Sequence, residues 1–93
     1  VSVLKQIQIK YISSFDEKLR EFRNCIKNKS VFDARMFGHK LHGSGGSYGF
    51  GEISSIGKRI NTFAHEENWT ALEEEFKVLA SYIAKYKKEL NIS

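Results

Sequence analysis

The sequence predicts an all-α fold, an antiparallel four-helix bundle with an N-terminal extension, on three observations. Proline is absent from all 93 residues, whereas a small β domain needs frequent turn residues. Apolar residues recur at steps of three and four along four separate stretches, the spacing of one helix face. Short connections join those stretches, which suits neighbours that run antiparallel. With 41% apolar residues the chain can fill one core and not two. Residues 1–93 are therefore expected to form a single domain, one excised from a larger protein since the chain starts at Val1.

Leu4, Ile7, Tyr11, Phe15, Leu19, Phe22 and Ile26 trace the first stripe. It reads as helix from Phe15 onward. Before that, Ile7, Ile9 and Tyr11 also alternate as in a strand, so the first dozen residues stay open between the two. Ser14 and Glu17 have the spacing of a capping box, which would restart the helix there. Ser30, three residues before Asp33, is expected to cap a second helix whose apolar side is Ala34, Phe37, Leu41 and Tyr48. Gly49 to Gly51 reads as a turn, and Ile53, Ile56, Ile60 and Phe63 form a third stripe. The pattern breaks from His65 to Thr70. Thr70 with Glu73 is a further capping-box pair, leading into Leu72, Phe76, Leu79, Ile83, Tyr86 and Leu90. Glu73, Glu74 and Glu75 near the start of that stripe, with Lys85, Lys87 and Lys88 near its end, suit a helix dipole.

Several function classes are excluded at this level. The net charge of +4 comes from basic residues scattered among acids, without a nucleic-acid-binding motif, so a solvated helical surface is expected and no nucleic-acid partner. No apolar run nears the roughly 20 residues that span a bilayer, and the first residues do not show the charged-apolar-small pattern of a secretory signal, so no direct membrane insertion of this domain is expected. Anchorage of a parent protein is a separate matter. Cys25 alone cannot form an internal disulfide, which fits the cytoplasm, and its place beside Phe22 and Ile26 makes it a half-buried small hydrophobe. Nucleotide loop, compact carboxylate pair and nucleophile triad are all missing, so no autonomous kinase or hydrolase activity is expected. His65 is expected to face solvent or cap a helix, and Trp69 to pack at a helix junction.

The stretch with chemical content is Gly38-His39-Lys40-Leu41-His42-Gly43-Ser44-Gly45-Gly46-Ser47-Tyr48-Gly49-Phe50. Each glycine inside a helix costs about 1 kcal/mol relative to alanine, so Gly43, Gly45 and Gly46 together cost roughly 3 kcal/mol. Such a loss requires a compensating use. At about 100° per residue, Ala34, Phe37, Leu41, Ser44 and Tyr48 gather on one side and His39 projects away from them. His39 then faces solvent beside Arg35, Met36, His42, Gly43 and Gly46. Gly43 and Gly46 leave bare backbone next to the imidazole, while Gly45 turns toward the core and allows a close helix approach.

This run resembles the histidine-phosphotransfer family, whose phosphorylated histidine lies in an H-x-L-K-G motif followed by small residues and a further glycine. Here His39-Lys40-Leu41-His42-Gly43 aligns with that motif, Ser44 to Ser47 are small, and Gly49 stands at the later glycine. The layout of the stripes is similar across almost the whole chain. The resemblance implies a phosphorelay carrier, with His39 accepting a phosphoryl group that it exchanges with the aspartate of a response-regulator receiver domain. It also implies an upstream hybrid histidine kinase, no intrinsic cofactor or metal, and Mg²⁺ bound by the partner receiver. Arg35, Met36 and Gly46 are the expected receiver-docking residues, extended by Phe32 where that ring is unburied, and the domain is expected to be monomeric.

The family's lysine, three residues after the histidine, is His42 in this chain. A protonated His42 donates to a phosphoryl oxygen, and a neutral one offers less compensation, so with Gly43 it is either phosphate-supporting or a surface substitution out of reach. Lys40 points about 100° away from His39 and is a poor substitute. Two other readings stand beside the carrier. One is a degenerate receiver-binding module that moves no phosphate; the other is a metal-binding bundle using His39, His42 and His65, although the repeated Glu-x-x-His pattern of carboxylate-bridged metal bundles is missing.

Overall fold

A computed structural model describes residues 2–92. Five helices follow one another: α1 (Val3–Ser13), α2 (Phe15–Lys27), α3 (Val31–Ser47), α4 (Gly51–His65) and α5 (Trp69–Glu89). Helices α2 to α5 form a closed ring in which α2 touches α3 and α5, and α4 touches α3 and α5. Three-residue connections make successive helices antiparallel, as the four stripes predict. The N-terminal extension is helical rather than strand-like, and α1 lies against α2 and α5. Among the described residues there is no strand, and no helix is long and apolar enough to cross a membrane.

The core is filled as the periodicity requires. Phe15, Phe22 and Ile26 from α2, Ala34, Phe37 and Leu41 from α3, Ile53, Ile56 and Ile60 from α4, and Leu72, Leu79, Ile83 and Tyr86 from α5 are all buried. Phe22 stacks on Phe37 with ring centroids 4.8 Å apart, which joins α2 to α3. The first stripe departs from expectation at its start: Leu4 and Ile7 are exposed, and burial begins at Tyr11 and Ile12. The stripe is also interrupted. Its backbone passes through Ser14 with φ −71° and ψ −10°, and the N–H there is shared between Lys10 O and Tyr11 O.

Helix starts show where local sequence governs. Ser30 accepts from Asp33 N at 3.3 Å, as its spacing predicts. Ser14 makes no cap, because its hydroxyl donates back to Tyr11 O at 2.5 Å instead. Thr70 does not cap either: Asn68 accepts from Ala71 N at 3.1 Å and starts α5 two residues earlier. The three glutamates consequently fall beyond the first turn of α5. Glu75 is buried and receives a forked contact from Arg59 Nε, 3.1 Å to each carboxylate oxygen, tying α5 to α4. Lys87, in the last turn as expected, also reaches Asp16 of α2 at 2.7 Å.

Four helices end alike, with a left-handed residue and a paired set of backbone bonds. At the end of α3, Gly49 (φ +86°) donates to Gly46 O while Phe50 N donates to Gly45 O at 2.7 Å. Lys29, Glu67 and Asn91 play the same part after α2, α4 and α5 with φ near +50 to +57°. A side chain with Cβ is strained in that region by about 1 kcal/mol or more. Replacing Glu67 by glycine is therefore expected to raise stability by about 1 kcal/mol, less the entropy glycine adds to the unfolded chain, measured as a higher denaturant midpoint at constant slope.

Tyr86, near the end of α5, donates its hydroxyl to Glu52 in the first turn of α4 at 2.5 Å. Burial and that carboxylate hold the phenol well above the ordinary tyrosine range, and the same bond holds the Glu52 carboxyl below its ordinary value. The phenol's folded-state value is raised, so its contribution is complete below about pH 10 and declines as pH climbs above it. The carboxylate's contribution is complete above the unfolded carboxyl value and declines as pH falls into the acid range. Tyr86→Phe should flatten the alkaline limb of a stability profile, with melting temperature against pH as the readout.

Candidate functional site

Helix α3 is held against α4 by contacts that only glycine permits. A Cβ on Gly38 would lie 2.6 Å from Asn61 N and 2.7 Å from Gly57 O. One on Gly45 would lie 2.6 Å from Ser54 N, and one on Gly57 would run into the backbone of His42 and Gly38. Gly45 thus packs as expected, while Gly38 and Gly57 are packing glycines that the helical wheel did not single out. The two backbones meet with Gly38 opposite Gly57 and Gly45 opposite Ser54, an antiparallel register that sets every other feature of the site.

The outer side of α3 carries the predicted cluster. Arg35, Met36, His39, Lys40, His42, Gly43 and Gly46 are all exposed, and Leu41 between them is buried. Phe32 is 72% exposed and Met36 38%, so the two apolar side chains lie on the same open face as His39, Met36 one turn and Phe32 two turns before it. Nothing lies within 4 Å of where a Gly43 Cβ would be. A Gly46 Cβ would make only ordinary contact with Ser54 Oγ at 3.6 Å. Next to Met36 and Lys40 opens a groove of about 390 Å³ between α2 and α3, lined also by Lys18, Glu21 and half-buried Cys25. Burial pushes the Cys25 thiol above its ordinary value, so the thiolate is disfavoured there.

His42 is tethered to α4. Its Nδ1 lies 3.0 Å from Ser54 O and 3.0 Å from Ser54 Oγ, and that hydroxyl lies 2.8 Å from His42 O. The proton positions follow from what each atom can do. A carbonyl oxygen only accepts, so Nδ1 must carry a hydrogen to bond Ser54 O. The Ser54 hydroxyl has one hydrogen and gives it to His42 O, so toward Nδ1 it too accepts. The consistent arrangement is an Nδ1–H shared between two Ser54 oxygens, with Nε2 left as the free nitrogen. Sequence spacing could place His42 near His39, but it gave no sign of Ser54, which comes from another helix twelve residues on.

The far end of α3 is clamped by α1. The Tyr11 ring stacks on Tyr48 with centroids 4.4 Å apart, its hydroxyl meets Ser44 Oγ at 2.7 Å, and Gln8 Nε2 donates to Tyr48 O at 2.9 Å. Burial holds the Tyr11 phenol above its ordinary value. At the other end, Asn61 of α4 donates to Arg35 O at 3.0 Å. Asn61 sits opposite Arg35 and Ser54 opposite His42, so exposed His65 falls beyond Arg35 and away from His39. The three histidines of the metal reading are not brought together, and among the described residues no three His, Cys, Asp or Glu side chains converge to hold an ion.

Comparison with protein-family models, with curated proteins and with solved structures finds no match to this chain.

The two kinds of glycine in α3 respond oppositely to alanine. Gly43→Ala fills open space and is expected to stabilise the fold by up to about 1 kcal/mol. Gly45→Ala forces α3 and α4 apart and is expected to destabilise it by about 1–3 kcal/mol or more. Chemical denaturation of the two variants beside the unmodified chain checks the pair.

Proposed function

We propose that this chain is a histidine-phosphotransfer domain in which His39 accepts a phosphoryl group from the aspartyl phosphate of a response-regulator receiver and can return it. One observation carries the reading: Gly43 has open space around its missing side chain, on the face that exposes His39. Core packing explains Gly38, Gly45 and Gly57, but it gives no reason for a glycine at position 43, where it weakens the helix. Access to the neighbouring imidazole does.

In the proposed reaction an unprotonated His39 ring nitrogen attacks phosphorus in line. The bond between phosphorus and the aspartyl oxygen breaks, a P–N bond forms, and the carboxylate leaves with the electron pair. Phosphoryl transfer of this kind depends on positioning and charge stabilisation, so the receiver's Mg²⁺ and basic groups supply most of the machinery. This domain supplies a nucleophile on a rigid helix and a surface on which the receiver can sit. Phe32 and Met36 give that surface an apolar centre, Arg35 a positive edge, and Gly43 and Gly46 a flat floor. A small interface of this composition suits a partner that must leave after each transfer. The domain then acts without a cofactor, nucleotide or metal of its own, as a monomer in the cytoplasm, downstream of a hybrid histidine kinase.

Incubation with a panel of Mg²⁺-loaded receiver domains charged by acetyl phosphate tests this reading. Acid-labile phosphate should appear on the unmodified chain and on His42→Gln, and should be lost, by at least about a hundredfold, in His39→Gln. Receiver binding without transfer would replace the carrier with a docking module. Phosphate that persists in His39→Gln would move the acceptor to another residue.

A further inference from the structure

Resting on the reading that His39 carries the phosphoryl group, we infer that Ser54 is a positioning residue for transfer, presenting His42 Nε2 to that group. Three bonds join His42 and Ser54. They are not a general packing contact, because they involve both the backbone and the hydroxyl of one residue and both the ring and the backbone of the other. The Ser54 hydroxyl holds position 42 of α3 at its carbonyl, and the two Ser54 oxygens hold the ring at Nδ1. Rotation of the imidazole would break two of these contacts, and a ring flip would bring a bare carbon to the same two acceptors.

His42 is one turn beyond His39 and lies roughly 60° around α3 from it, on the α4 side. Tethering at Nδ1 leaves Nε2 as the only ring nitrogen available to a group on the outer face. Both acceptors at Nδ1 remain satisfied when Nε2 takes a proton from solvent, so the ring can become a cation without losing its anchor. A phosphoryl group on His39 brings negative charge to that face. The His42 imidazolium then donates from Nε2–H to a phosphoryl oxygen, a charge-assisted bond. Ser54 touches neither the phosphoryl group nor His39; its effect passes through the ring it holds.

This arrangement also explains how an imidazole can stand where a lysine is expected. A lysine ammonium has three rotatable donors and needs no partner to orient it. An imidazole has one donor on each side at most, and is useful only when the correct nitrogen points outward. Ser54 supplies that orientation, so the dependence on Ser54 should exist for histidine at position 42 and vanish for lysine.

The test uses the whole chain and phosphoramidate, which transfers its phosphoryl group directly to imidazole as its P–N bond breaks and ammonia leaves. Long-range proton–nitrogen NMR of the unphosphorylated protein near neutral pH should show the neutral His42 ring carrying its hydrogen on Nδ1. Ser54→Ala should slow P–N bond formation on His39 about fivefold, the effect of one net hydrogen bond, and Ser54→Thr should restore it. In a His42→Lys background, Ser54→Ala should change nothing. A neutral ring with its hydrogen on Nε2 would overturn the proposal, as would an equal loss in both backgrounds, which a merely structural Ser54 would give. No phosphate on His39 in any background would overturn the carrier reading and this inference with it. In that case the Nδ1–H signal would still report whether the tether itself exists.

Discussion

The backbone approach of α3 to α4 is the constraint on which the rest of the structure depends. Gly38, Gly45 and Gly57 let two helices meet without intervening side chains, at distances where any Cβ would strike backbone. This contact fixes the register between the helices, and the register in turn delivers Ser54 to His42 and Asn61 to Arg35. It also fixes the rotation of α3. With Gly38 and Gly45 against α4, and Phe37 and Leu41 buried in the core, the side carrying His39 and Gly43 has nowhere to go but outward.

A helix with this many glycines is weak by itself, since each glycine adds about 1 kcal/mol of unfavourable conformational entropy. The fold compensates by holding α3 from several directions. Phe22 of α2 stacks on Phe37, α1 clamps the last turn through Tyr11 and Gln8, and Gly49 closes that turn with a left-handed residue. The N-terminal helix thus has a structural use that its exposed first turns conceal. Its buried end, Tyr11 and Ile12, braces the segment that follows the proposed acceptor. Rigidity matters for a carrier of the proposed kind, because in-line attack tolerates little misplacement of the nucleophile.

Much of the fold was legible in the sequence, because burial in a helical bundle leaves a period. The stripes from Phe15 to Ile26, Ala34 to Tyr48, Ile53 to Phe63 and Leu72 to Leu90 all turn inward, and Ser30 caps α3 as its spacing indicates. What failed depended on competition between partners. Ser14 and Thr70 both have cap spacing, yet Ser14 bonds backward and Asn68 takes the cap ahead of Thr70. Leu4 and Ile7 continue a period that no neighbour covers. The exposure of His39 and the division between Gly43 and Gly45 followed from rotation about one helix axis. Gly38, Gly57 and Ser54 did not, because their importance lies in what faces them across the α3–α4 contact, and a single sequence carries no distance between helices.

In the proposed carrier, one face of α3 has a single use, as the floor on which a partner domain meets His39. Backbone NMR of the labelled chain, titrated with Mg²⁺-loaded receiver domains held in a phosphoryl-like state by beryllofluoride, tests this most directly. Shifts on binding are expected to centre on Phe32, Arg35, Met36, His39, Gly43 and Gly46. Shifts centred instead on the exposed turns of α1 around Val3 and Ile7, with the outer face of α3 undisturbed, would contradict it.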